Sequence, residues 1–195
     1  MTSTDAPMSV RQAIRDRRAV RSFFPDKISK RRITSLLTAA TWAPTAMREE
    51  PWAFVVVQDH VLLKGISDRA KILLSSDEQR SDHHFSTETI ARFTNPEFNI
   101  FYDAGTLIVI CGKALGPFMT ADCWLAAENL MLAACGEGLG SCVIGLSVPI
   151  LQDQQVKKEL GIPDDITPIA PIIVGKPRGT TPRTKRVSPH ILSWI

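Results

Sequence analysis

The stretch DCWLAAENLMLAAC (122–135), followed by GEGLG (136–140) and SCVIGL (141–146), decides how this chain folds. Trp124, Leu125, Ala126, Ala127, Leu130, Met131, Leu132, Ala133 and Ala134 predict a helix over Asp122–Cys135 that is buried on most of its circumference, as a helix at the centre of a domain is. The glycines break it, and Ser141–Leu146 resumes as a short strand. A dinucleotide-binding fingerprint needs the opposite order, strand then glycines then helix. The glycines are therefore read as a left-handed exit from the helix, with room for the backbone to approach a flat ligand.

Helical and strand patterns alternate on both sides of this centre. Ser9 with Gln12 forms a capping-box pattern that starts a helix ending near Arg17, in a basic cluster. Ser29 caps a second helix with Ile33, Leu36, Leu37 and Ala40 on one face, and that helix stops near Trp42. Trp52–Gln58 reads as a buried strand, Leu62–Leu74 as a helix, and Thr106–Gly112 as a second buried strand. Pro149 begins a helix to about Leu160, ended by Gly161 and Pro163, and Ile169–Gly175 is a further strand. Residues 75–100 are polar and turn-rich without a strong period, which suits a lid over a site. The expected fold class is α+β, one three-layer domain over residues 1–195, with 177–195 as an extended arm ending in Ile191, Leu192, Trp194 and Ile195.

The chain has 195 residues, 44% apolar and 22% charged, and a net charge of +3 that conceals an uneven distribution. Residues 11–32 hold nine basic and two acidic side chains, and the last twenty hold five basic and no acidic ones, leaving a net −9 between. Lys30, Arg31 and Arg32 are expected to be solvated helix surface. No apolar run reaches the roughly 18 residues of a membrane span. The start has neither the apolar run of a secretory signal nor the acid-poor character of a transit peptide, so a cytoplasmic location is expected. Cys111, Cys123, Cys135 and Cys142 contain no CxxC pair and read as buried thiols. His60, His83, His84 and His190 lack ligand partners at metal spacing, and no GxSxG turn is present for a hydrolase nucleophile.

Arg17-Arg18-Ala19-Val20-Arg21 lies just past a helix end. In extended chain Arg17, Ala19 and Arg21 can converge while Arg18 points away or wraps round, and guanidinium groups bind phosphate through paired, charge-assisted hydrogen bonds. A plain basic surface patch is the alternative on the residues alone. A nucleic acid is not expected, because the basic residues lack interleaved aromatics and the body of the chain is acidic.

The segment RRAVRSF (17–23), followed by APTAMREEPWAFVVV (43–57), resembles the FMN-dependent nitroreductase family, with its basic RRSxR-like opening and APSxxNxQPW-like loop running into a strand. The resemblance continues through DAGTLIV (103–109), the helix 122–134, GLGSC (138–142) and VGKP (174–177). It implies a nitroreductase-like α/β/α fold with a mixed, mainly antiparallel sheet, in an intertwined homodimer with flavin sites at the interface. Residue by residue, it implies that Arg17, Arg18, Ala19 and Arg21 grip the FMN phosphate and ribityl chain. Pro44, Thr45, Ala46 and Arg48 fall in the loop offered by the partner subunit. Val143, Ile144 and Gly145 pass the flavin ring, and at least one of Arg183, Lys185 and Arg186 reaches the phosphate. NADH or NADPH would supply electrons, and a nitroaromatic, a quinone or a related small molecule would take them in a ping-pong cycle. No catalytic side chain is nominated. Three positions depart from the family pattern: Ala19 replaces its usual Ser, Arg48 its Asn and Glu50 its Gln. An Arg48 paired with Glu49 or Glu50 would be turned away from the flavin; an unpaired one could enter the pocket.

Overall fold

A computed structural model describes residues 7–78, 86–114 and 116–195; the His83-His84 pair lies outside them. The elements are α1 (Val10–Asp16), α2 (Lys30–Thr41), β1 (Trp52–Val57), α3 (His60–Glu78), α4 (Thr87–Thr94), β2 (Thr106–Lys113), α5 (Met119–Gly136), β3 (Gly140–Val143), α6 (Val148–Leu151), α7 (Gln154–Glu159) and β4 (Ile166–Gly175).

The strands form one sheet in the order β1-β2-β4-β3. Side chains alternate across a strand, so β2 divides its apolar run between two cores. Leu107, Val109 and Cys111 face one cluster, with Leu63, Ile66 and Ala70 of α3 and Leu151 of α6. Ile108 and Ile110 face the other, with Leu36 and Ala40 of α2 and Ala126, Ala127 and Leu130 of α5. Helices thus cover both faces, which is why the central strands read as continuous apolar runs. Each fully buried Leu or Ile contributes about 1.5–3 kcal/mol relative to exposure.

The three-layer α+β expectation holds, with adjustments. All three strand pairings are antiparallel; the parallel component of the expected mixed sheet is a single bridge between Ala19 and Ser141. The segment 75–100, expected to have no strong period, contains the end of α3 and all of α4. The single helix expected from Pro149 is two, because the Asp153 side chain accepts from the N–H groups of Gln155 and Val156 and starts α7 afresh. Ser141–Leu146 is strand only to Val143, and Gly145–Ser147 turns as a 3-10 helix. One side of α5 is open, with Trp124, Leu125 and Glu128 exposed. The capping at Ser9 and Ser29 is present, each hydroxyl accepting from the backbone N–H three residues on.

Arg32 is also not solvated surface. Its Nε lies 3.0 Å from a Glu137 carboxylate oxygen, and its Nη2 donates to the Glu137 carbonyl at 2.6 Å. Ser35 donates to the other carboxylate oxygen. These bonds tie α2 to the end of α5, where the glycines begin.

Candidate functional site

The basic segment after α1 is laid against the open edge of β3. Val20 N–H donates to the Ser141 carbonyl at 3.0 Å, Phe24 N–H to the Lys176 carbonyl at 3.0 Å, and Arg178 N–H to the Ser22 carbonyl at 2.9 Å. Val20 and Phe23 are buried beneath it. Two glycines permit this. Gly138 has φ +71°, the left-handed exit expected after the helix. A Cβ at Gly140 would come within 2.8 Å of the Val20 side chain.

The expected convergence of Arg17, Ala19 and Arg21 does not occur: Arg17 leaves at the C-terminal cap of α1 beside Arg18, while Arg21 lies beyond the point where the chain bridges to β3 at Ala19. Arg17 and Arg18 line a cleft of about 240 Å³ with Asp16, Cys135, Gly138–Ser141, Pro177, Gly179 and Thr181. Arg18 wraps round, as expected for one of the two arginines: its Nη1 donates to the carbonyls of Arg15 and Arg17, at 2.6 and 2.7 Å. Its Nε is buried without a hydrogen-bond partner. Arg17 Nε is 3.5 Å from a Glu128 carboxylate oxygen on the open side of α5. Arg183 reaches back from the tail to within 3.6 Å of Asp16 Oδ1, an oxygen that is itself buried and receives no hydrogen bond. Burial raises the Cys135 thiol pKa, and the nearby Asp16 carboxylate raises it further.

Arg21 points elsewhere. It lines a cavity of about 170 Å³ with Phe98, Ile100, Tyr102, Val143, Ile144, Gly145 and Leu146. Gly145 starts a helical turn, so its N–H has no partner within that turn, and a Cβ there would meet nothing within 4 Å. Ala19 is bridged to Ser141 and lines neither cleft.

The loop after α2 is strained and separate. Met47, Arg48 and Glu50 have φ of 55°, 60° and 43°, a region that costs non-glycine residues about 1–3 kcal/mol each. The buried Asp122 carboxylate anchors the loop by accepting from Ala46 N–H with both oxygens at 3.2 Å. Pro44 and Arg48 are exposed, Thr45 and Ala46 half-buried. Among the described residues Arg48 forms no ion pair, with Glu49, Glu50 or any other carboxylate. Neither cleft is lined by any residue of 44–50. In the tail, Lys185 and Arg186 are exposed and line neither cleft.

Sequence reasoning missed the contributions of Asp16, Cys135, Gly179 and Thr181 to one cleft and of Phe98 and Tyr102 to the other. Gly179 and Thr181 follow VGKP closely and Asp16 adjoins Arg17, so these were findable from the motifs; Cys135, Phe98 and Tyr102 are brought in by tertiary packing. The buried-thiol reading holds for Cys111, Cys123 and Cys142, while Cys135 is half-buried. No metal-ligand cluster occurs among the described residues, and no helix among them is long and apolar enough to cross a membrane.

The nitroreductase family model matches residues 14–176, and the chain belongs to that family. It is 29% identical to a protein of Archaeoglobus fulgidus with the provisional name NADH dehydrogenase/NAD(P)H nitroreductase, over 83% of this chain and 82% of the relative. It is also 29% identical to the 5,6-dimethylbenzimidazole synthase of Rhodospirillum rubrum, over 85% and 81%. A crystal structure of a nitroreductase with bound FMN from Bacteroides fragilis superposes with a TM-score of 0.79 at 25% identity, covering 95% of this chain and 98% of that one.

Proposed function

We propose that the protein is an FMN-dependent oxidoreductase that passes electrons from NADH or NADPH to a small acceptor, a nitroaromatic, a quinone or a related compound, in a ping-pong cycle. The observation that carries this reading is the division of the basic segment between two clefts on one strand edge. Arg17 and Arg18 serve one, with Arg183 drawn to its rim, and Arg21 serves the other. A phosphate suits the first cleft because the buried Arg18 Nε–H is an unused donor and the open side of Gly138 leaves space in the same cleft. A flat ring suits the second, where the glycine at 145 leaves the backbone approachable and its N–H free to donate. Lys185 and Arg186 belong to the same reading as tail cations within reach of the phosphate.

When bound, FMN supplies the hydride acceptor and the electron donor of the reaction, which leaves the protein to orient and to set the electrostatics. Arg21 places a positive charge beside the ring cavity, where it stabilises negative charge that develops there. No side chain in either cleft is needed as an acid or base.

The reading includes a homodimer. Val187, Leu192 and Trp194 of the tail are almost fully exposed, and Trp124 and Leu125 of α5 and Val10 and Ile14 of α1 are exposed apolar side chains on helices. A second protomer would cover them and bring its own Pro44–Arg48 loop to the clefts that this loop does not reach within one chain.

The test is the visible spectrum of the purified protein. Flavin absorbance is expected, bleached by NADH or NADPH without oxygen and restored by a nitroaromatic or a quinone. A colourless protein whose titration with FMN changes neither absorbance nor fluorescence would overturn the reading. A second reading keeps fold and flavin with other redox chemistry. It is favoured by the equal identity to a relative named for 5,6-dimethylbenzimidazole synthesis and by the unpaired Arg48. Bleaching without return of the colour on any nitroaromatic or quinone would select it.

A further inference from the structure

A larger cleft, of about 460 Å³, adjoins the ring-side cavity and shares Arg21, Phe98 and Tyr102 with it. The chain segments that form it carry opposite charge. Arg21 comes from the basic segment and Arg178 from the exit of β4; Glu97 and Asp103 come from the turn between α4 and β2. Among the described residues none of these four side chains is in an ion pair. Cations and carboxylates that face one cavity without bridging it each have a free partner site. Arg178 lies over the Phe24 ring, 5.1 Å from its centroid, and Asp103 accepts from Asn99 Nδ2 at 3.0 Å through Oδ1 alone.

The acidic turn is built to hold its shape. Tyr102 and Asp103 have φ of 52° and 54°, a conformation that L side chains disfavour and that persists where the surroundings enforce it. The enforcement comes from two buried side chains of α3. Ser67 Oγ accepts from Ile100 N–H at 3.0 Å, and Lys71 Nζ donates to the carbonyls of Asn95, Pro96 and Phe98. The Phe98 and Tyr102 rings meet edge to face, 5.7 Å between centroids, and give the cleft an apolar wall.

We propose that this cleft binds a small zwitterion of the α-amino acid class. Its ammonium group meets Glu97 and Asp103, its carboxylate meets Arg21 and Arg178, and an apolar or aromatic side chain lies against Phe98 and Tyr102. A simple anion would face two carboxylates and a simple cation two guanidinium groups, so only a ligand with both charges satisfies every wall. The volume falls within the roughly 300–1,000 Å³ of small-molecule sites. Binding does not depend on flavin; any service of the ligand as electron acceptor rests on the proposed function above.

The experiment is ligand-observed NMR on the full chain, with and without added FMN, using L-phenylalanine, phenethylamine and 3-phenylpropionate as probes. L-Phenylalanine is expected to bind about tenfold or more tightly than either truncated probe, since each lost charge removes a charge-assisted hydrogen bond. Glu97→Gln should weaken L-phenylalanine and phenethylamine and spare 3-phenylpropionate; Arg178→Gln should do the reverse for the two truncated probes. Both residues are exposed, so both variants should fold, as circular dichroism would verify. Lys158→Gln, in a separate cleft, should change nothing. Equal binding of the three probes, no binding of L-phenylalanine, or indifference to both variants would overturn the proposal. L-Phenylalanine binding in a protein that takes up no FMN would overturn the flavin reading and leave this one standing.

Discussion

The two basic ends of the chain differ in how the fold holds them. Residues 17–24 are tied to β3 and to the exit of β4 by backbone hydrogen bonds, over buried Val20 and Phe23. Beyond Gly179 the tail has no regular structure, is exposed throughout, and is linked to the other end by the 3.6 Å approach of Arg183 to Asp16. The first arm is therefore preorganised by the sheet, and the second takes no part in those backbone hydrogen bonds. Preorganised groups bind without further ordering cost, whereas an extended tail must first lose conformational freedom.

That contrast can be broken from its rigid side. Phe23→Ala removes a buried ring packed against Gly175 and should cost about 3–5 kcal/mol, read from urea unfolding, with loss of flavin uptake. Gly140→Ala forces a methyl group toward Val20 and should destabilise by about 1–3 kcal/mol, lowering FMN affinity because residues 17–20 are pushed off β3. Arg17→Ala leaves the fold intact and should weaken FMN by about tenfold or more in a fluorescence titration. Arg183→Ala, on the extended side of the comparison, should cost at most about 1 kcal/mol of affinity, because the Arg183 side chain is largely exposed and its charge is screened by solvent. A larger loss for Arg183 than for Arg17 would reverse the assignment of which arm dominates.

The cysteines sharpen the same comparison. Burial pushes the Cys111 thiol up to about 12 and Cys123 up to about 11, and raises Cys142 as well. A thiol reagent at pH 8 should modify Cys135 first, at the phosphate-side cleft, and saturating FMN should slow that reaction. The raised thiols also set an alkaline limit. An unfolded thiol ionises above about pH 8.5 while the buried ones remain neutral, so stability is full below that pH. It should fall as pH rises toward 11 and 12, visible as a declining urea midpoint.

Much of the fold was legible because its signals are local. Ser9 and Ser29 cap helices through their own side chains, and the apolar runs at 52–57 and 106–112 needed only length and β-branching to read as buried strands. The apolar segment at 122–135 was read as a nearly surrounded helix, yet Trp124 and Leu125 are open in one chain. An apolar residue left on the surface of a helix has the same composition as one already buried. The break between α6 and α7 was missed because Asp153, a strong N-cap, lies inside a run that otherwise keeps helical period. Arg32 was read as solvated because its partner, Glu137, is distant in the chain and no local pattern announces it.

For the candidate site the sequence determined which groups are available: guanidinium groups at both ends, glycines at 138, 140 and 145, and a loop whose Arg48 departs from the family's amide. Those are properties of composition and short-range spacing. Tertiary structure alone decided their distribution. Arg17 and Arg18 enter one cleft and Arg21 another, because the chain meets the β3 edge at Ala19 and Val20, between them. The same docking places Arg21 and Arg178 in one cavity with Glu97 and Asp103, a meeting of opposite charges that depends on the sheet order and cannot be read from the chain in one dimension.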